Sequence, residues 1–157
     1  MSYREIVVEW SPSQRARLAE ERRVLQKYFS AFSWHYPTSA EKTFIEGKVR
    51  TRAGDYYGLR VYLSAGFPAS CPDLIVSDPV PLLDRNNNAL TEVDAKMHTL
   101  GERDGCTKIC HCRSSLWVPA NTLYKVLIKG KIWLEAYTGH LGTGYPIDQY
   151  LRTMPDA

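Results

Sequence analysis

Apolar positions change period along the chain, and each change marks an element. From Ser11 onward Leu18, Val24, Leu25, Tyr28, Phe29 and Phe32 fall largely on one helical face, while Arg15, Arg17, Glu20, Glu21, Arg22, Arg23 and Lys27 cover the rest. This predicts an amphipathic helix with a solvated charged side. Ser11 is its expected N-cap, with Pro12 in the first helical position and Gln14 three residues past the cap, the arrangement of a capping box. The residues before it, Tyr3 to Trp10, read as a short edge strand or an arm.

After Pro37 the period becomes two. Ile45, Gly47 and Val49 point one way, Arg52-Ala53-Gly54-Asp55 turns the chain, and Tyr57, Leu59, Val61 and Leu63 point one way on the return. An antiparallel hairpin over residues 43 to 51 and 56 to 63 follows. Leu74-Ile75-Val76 supplies a third strand, so the fold class is α+β, a small antiparallel meander covered by helices. Residues 78 to 97 are dense in Pro, Asn and acids and read as an irregular surface loop. A second helix is predicted from about residue 121 to 138. Asn121 is its N-cap, Leu123, Val126, Leu127, Gly130, Trp133, Leu134 and Tyr137 form its apolar face, Lys125, Lys129 and Lys131 lie off that face, and Gly139 ends it. The glycines of the tail, Gly142 and Gly144, follow a helix and precede no Gly-Lys-Ser/Thr, so they are not a phosphate loop.

A chain of 157 residues fits one domain, residues 1 to 157 with a core over about 11 to 138. A net charge of +3, with Lys and Arg spread along the chain, argues against a dedicated nucleic-acid binder. No apolar run is long enough to span a bilayer and no basic-then-apolar leader opens the chain, so the expectation is a cytoplasmic protein without a membrane partner. Its four cysteines are then reduced thiols rather than a disulfide framework.

Chemistry concentrates in Gly105-Cys106-Thr107-Lys108-Ile109-Cys110-His111-Cys112, followed by Leu116-Trp117-Val118-Pro119-Ala120-Asn121, with His98 upstream. This order resembles the active-site region of ubiquitin-conjugating enzymes, where a His-Pro-Asn-type segment, a Gly-x-x-Cys-type segment and a Trp-x-Pro-Ala turn succeed one another. Gly66-Phe67-Pro68-Ala69-Ser70-Cys71-Pro72 resembles the family's Tyr-Pro-x-x-Pro-Pro turn, with Cys71 where a proline is common. The resemblance spans roughly Ser11 to Thr138. It implies the ubiquitin-conjugating fold and a transferase in which Cys110 takes the C-terminus of a ubiquitin-like or other target protein from an ATP-using activating enzyme, as a thioester, and passes it to an amine. No cofactor is implied. Cys110 matches the family position best, following Ile109 and lying seven residues before Trp117. Cys112 is the alternative nucleophile, Cys106 a resolving thiol or an ordinary loop cysteine, and Cys71 a packing residue. Trp117 and Pro119 are structural neighbours of the site, and the first helix is where the family commonly meets its activating enzyme.

His98-Thr99-Leu100 departs from His-Pro-Asn and lacks the asparagine credited with oxyanion stabilisation, a role worth a few kcal/mol of barrier. His98, His111 or a backbone amide would have to substitute. That divergence looks closer to bacterial conjugating-like proteins, some of which act in anti-phage defence and modify a cyclic-nucleotide-synthesising nucleotidyltransferase through its C-terminus. Two other readings stay open. One is a catalytically silent binding module of the same fold. The other is a zinc module built from His98, Cys106, Cys110, His111 and Cys112, whose spacing is poor for zinc because adjacent ligands rarely reach one ion together.

Overall fold

The structure, a computed structural model, describes residues 6–153. Of the expected N-terminal strand or arm, Tyr3 to Glu5 lie outside the described residues, and Ile6 to Trp10 form no strand. Helix α1 spans Pro12–Tyr28 and carries both halves of the capping box, Gln14 N donating to Ser11 Oγ at 3.2 Å and Ser11 N donating to Gln14 Oε1 at 2.9 Å. The Gln14 amide also donates to the carbonyls of Ala65 and Phe67, so the same side chain ties the helix start to the proline turn.

The buried residues of α1 are Leu18, Glu21 and Leu25, whereas Tyr28 is exposed. This corrects the expectation that Arg17 and Glu21 belong to a solvated face. Spacings of three and four residues put Glu21 on the same stripe as Leu18 and Leu25, and its carboxylate is used there. Arg17 Nε donates to Glu21 Oε1 at 2.9 Å, and the Leu123 backbone N–H donates to Glu21 Oε2 at 3.1 Å. Arg17 further donates to the carbonyls of Pro119 and Asn121.

Seven strands follow: β1 Ser33–His35, β2 Phe44–Arg50, β3 Tyr56–Tyr62, β4 Asp73–Asp78, β5 Val93–Asp94, β6 Thr99–Arg103 and β7 Cys106–Ile109. They form one antiparallel sheet in the order β1-β2-β3-β4-β7-β6-β5. The α+β class and the hairpin of β2 and β3 agree with the periodicity, Ile45 pairing with Val61 and Val49 with Tyr57. The sheet is larger than the three-stranded meander expected. β6 and β7 are mostly polar and were hidden by it, although Asp104-Gly105 between them is a hairpin signal, and both residues have the positive φ, 52° and 76°, that a primed two-residue turn requires.

Leu59, Val61, Leu74, Val76 and Ile109 form the inner face, on which α2, Leu123–Thr143, lays Val126, Leu127, Trp133 and Leu134. Gly130 sits at their closest approach, where an added Cβ would stand 3.0 Å from Leu59 and 3.1 Å from Leu74. The opposite face carries a smaller buried group of Tyr62, Ile75 and Cys106. Thr107 is buried with its hydroxyl unpaired among the described residues. An unpaired buried hydroxyl costs about 1–3 kcal/mol, so Thr107→Val is expected to raise stability in urea unfolding by about 1 kcal/mol. A loss would mean that the hydroxyl has a partner.

The N-cap of α2 is Thr122, whose side chain accepts from Lys125 N, rather than the expected Asn121. Nor does the helix end at Gly139. It continues to Thr143 and stops at Gly144, which has φ 81°. Gly139 instead gives room to Tyr150, which would lie 2.7 Å from its Cβ. Tyr150 belongs to α3, Ile147–Thr153, a short helix the glycine-rich tail had concealed.

Candidate functional site

β7 ends at Ile109, which is fully buried, and the chain then bends through His111 and Cys112 before a 3-10 turn at Ser114–Leu116. Cys110 is therefore the first residue beyond a rigid strand. Its N–H donates to the His98 carbonyl at 2.9 Å, which extends the β6 pairing by one step. The thiol is partly exposed. Burial is the main force raising its pKa above the ordinary thiol value and the neighbouring Cys112 adds to it, while the backbone of Cys112 and the charge of Arg113 act the other way. Because the backbone bends, the extended geometry that would send Cys110 and Cys112 the same way does not apply. Cys112 turns its thiol to the Arg113 carbonyl at 3.3 Å.

His111 lies between the proline turn and the tryptophan. Its Nε2 is 2.7 Å from the Pro72 carbonyl and 3.6 Å from Cys71 Sγ, and its ring stands edge-on to Trp117 at 6.0 Å. A carbonyl can only accept, so Nε2 carries the proton and Nδ1 is the acceptor of the neutral ring. Burial lowers the His111 pKa and favours that neutral form. Trp117 Nε1 donates to the Pro68 carbonyl at 2.8 Å. The Trp-x-Pro-Ala turn is thereby pinned to the proline turn, while the carbonyl of Pro119 receives Arg17.

The other expected site residues are placed elsewhere. The His98 ring is held by Asp148 of α3, Nε2 to Oδ1 at 2.6 Å, and it is the His98 carbonyl that meets Cys110. Asp148 was not legible as part of this region, since fifty residues separate it from His98 and no local motif marks it. Cys106 is buried on the sheet face opposite the helices, against Tyr62 and Ile75. Cys71 is part-buried, and burial with the fields of Cys112, Asp73 and Cys110 pushes its pKa up to about 11. Of the five residues of the zinc reading, Cys106 is packed against Tyr62 and Ile75, the His98 ring is held by Asp148, and His111 and Cys112 turn to the carbonyls of Pro72 and Arg113. Among the described residues no three or more His, Cys, Asp or Glu are grouped to hold a metal ion, and no helix is long and apolar enough to cross a membrane.

No family model and no curated protein matches this sequence. Among solved structures, the chain is similar to a ubiquitin conjugating enzyme E2 from Agrocybe aegerita, at 18% identity and a TM-score of 0.43 over 90% of this chain and 94% of that one. The chemistry available here is that of a part-exposed thiol at a strand terminus, with a neutral imidazole on the next residue turned toward the proline turn.

Proposed function

We propose that this protein is a thioester acyl carrier of the ubiquitin-conjugating type, with Cys110 as the acceptor of a protein C-terminus. The observation that carries the reading is the placement of Cys110: anchored through its N–H to the His98 carbonyl at the end of β7, and part-exposed. In the step, the thiolate attacks the carbonyl carbon of an activated C-terminus, the C–S bond forms, and the activating group leaves with the electron pair of its own bond. An acceptor amine then displaces the sulfur, and the thiolate is released. Backbone N–H groups of the bend after Cys110 take the role for which Leu100 has no group. His111, held neutral by burial and with its proton on Nε2, has Nδ1 as its basic nitrogen and is the base for the amine proton. His98 acts as a positioning residue, locked by Asp148. The departure at His98-Thr99-Leu100 favours a bacterial-type cargo, such as the C-terminus of a cyclic-nucleotide-synthesising nucleotidyltransferase.

The test needs no cognate enzyme. A peptide α-thioester replaces the activated cargo, and intact mass reports acyl transfer to the protein and its reversal by dithiothreitol. Because burial holds the Cys110 thiol above its ordinary pKa, the thiolate fraction rises with pH through the neutral range. The charging rate should increase about tenfold from pH 7 to pH 8. A rate flat over that interval contradicts the assignment, since it would belong to a thiol already ionised.

A further inference from the structure

Starting from the residue after Cys110, a cleft of about 190 Å³ opens between the bend after β7 and the first turns of α2. His111, Cys112, Arg113, Asn121, Lys125 and Lys129 contribute to its wall, with Trp117 and Val126 at its apolar side. No Asp or Glu lines it. The side chains of Arg113, Lys125 and Lys129 make no ion pair or hydrogen bond among the described residues, as is true of Lys48, Arg52, Arg85, Lys96 and Lys131; what distinguishes the three is that they line one cleft. The carboxylate that acts on His111 is Asp73, and it is already held by Arg103 and Lys108. Three unmatched cations around one concavity therefore have no internal counter-charge.

We propose that this cleft binds an acidic segment of the cargo protein, the residues immediately before the carboxyl group that Cys110 accepts. The proposal rests on Cys110 as the acyl acceptor, and it adds the class of cargo. Cys112, on the cleft wall, is two residues from Cys110, so the cleft lies within about 7 Å of backbone from it. An extended chain advances about 3.3–3.6 Å per residue, which places Asp or Glu side chains roughly two to four positions before the C-terminus over Arg113, Lys125 and Lys129. The space suits one or two side chains, and the apolar wall at Trp117 and Val126 accepts their methylene groups.

The experiment compares three peptide α-thioesters that differ only in those positions: acidic, neutral Gly/Ser and basic. With the wild type at low salt the acidic donor should acylate Cys110 about tenfold faster than the neutral one and the basic donor more slowly, and the difference should shrink as salt screens it. Lys125→Glu/Lys129→Glu should erase or invert the order of the three donors, each rate being read relative to the neutral donor's in the same variant. The unactivated acidic peptide, fluorescently labelled, should bind the wild type and lose binding in the same variant. Equal rates for all three donors, with no peptide binding, overturn the acidic cargo and leave the thioester reading intact. Binding of the acidic peptide without acylation by any donor has the opposite meaning: the cleft is right and Cys110 is not the acceptor. If inorganic phosphate at equal charge competes as strongly as the peptide, the cleft is a general anion site and the proposal fails.

Discussion

Cys110→Ala should abolish the thiol-reversible adduct completely, and Cys112→Ala should retain it. The two cysteines are two residues apart, yet the structure separates them: Cys110 is tied to the β6 edge through His98, while Cys112 lies past the bend, facing the Arg113 carbonyl. Cys71 and Cys106 are weaker competitors, the first with its pKa raised to about 11 and the second buried on the far sheet face. Cys110→Ser should form an oxygen ester slowly, resistant to dithiothreitol and cleaved by base, because the hydroxyl is the weaker nucleophile. Thermal unfolding of Cys110→Ala should stay within about 1 kcal/mol of the wild type, since a part-exposed truncation leaves little cavity. Normal charging of Cys110→Ala with loss in Cys112→Ala would move the acceptor to Cys112. Normal charging of both would remove the thioester from this segment.

Glu21→Ala carries the largest expected loss of stability. The carboxylate is 2% exposed and has two partners, Arg17 and the backbone N–H of Leu123 in the first turn of α2. Its removal leaves Arg17 without its carboxylate, though still on the Pro119 and Asn121 carbonyls, and orphans the helix N–H of Leu123. Breaking a buried pair from one side costs about 3–5 kcal/mol, which for a chain of this size lowers Tm by roughly 10 °C. Glu21→Gln keeps an acceptor for Leu123 and should fall between the two. A cost under about 1 kcal/mol for Glu21→Ala in urea would mean the link between α1 and α2 adds little. The same link has a functional reading: Arg17 also holds the carbonyls of Pro119 and Asn121, so Glu21→Ala should loosen the wall of the cleft as well as the fold.

Glu21 also illustrates where reading by residue type breaks down. Its charge assigns it to water, but its spacing from Leu18 and Leu25 assigns it to the core, and spacing prevails because a partner waits there. Gly139 misleads in the same way. A glycine near the end of a helical pattern suggests a stop, while its use is close approach to Tyr150, a residue of a helix not yet apparent.

What the sequence determined by itself was local. The capping box at Ser11, the alternation that registers β2 on β3, the face of α2 and the order of the thiol segment and the Trp-x-Pro-Ala turn all depend on interactions within a few residues or on a two- or four-residue period. Such patterns are visible in one dimension because neighbours in the chain are neighbours in space. The tertiary structure alone decided which groups surround the thiols. It brought Asp148 to His98, Pro72 to His111 and the Glu21 carboxylate to the start of α2, and it buried Cys106 against Tyr62 and Ile75 while leaving Cys110 part-exposed at the strand end. Each of these contacts joins polar groups far apart in the chain. Their partners are selected by where the packed sheet and helices leave them, and that geometry has no signature in a period.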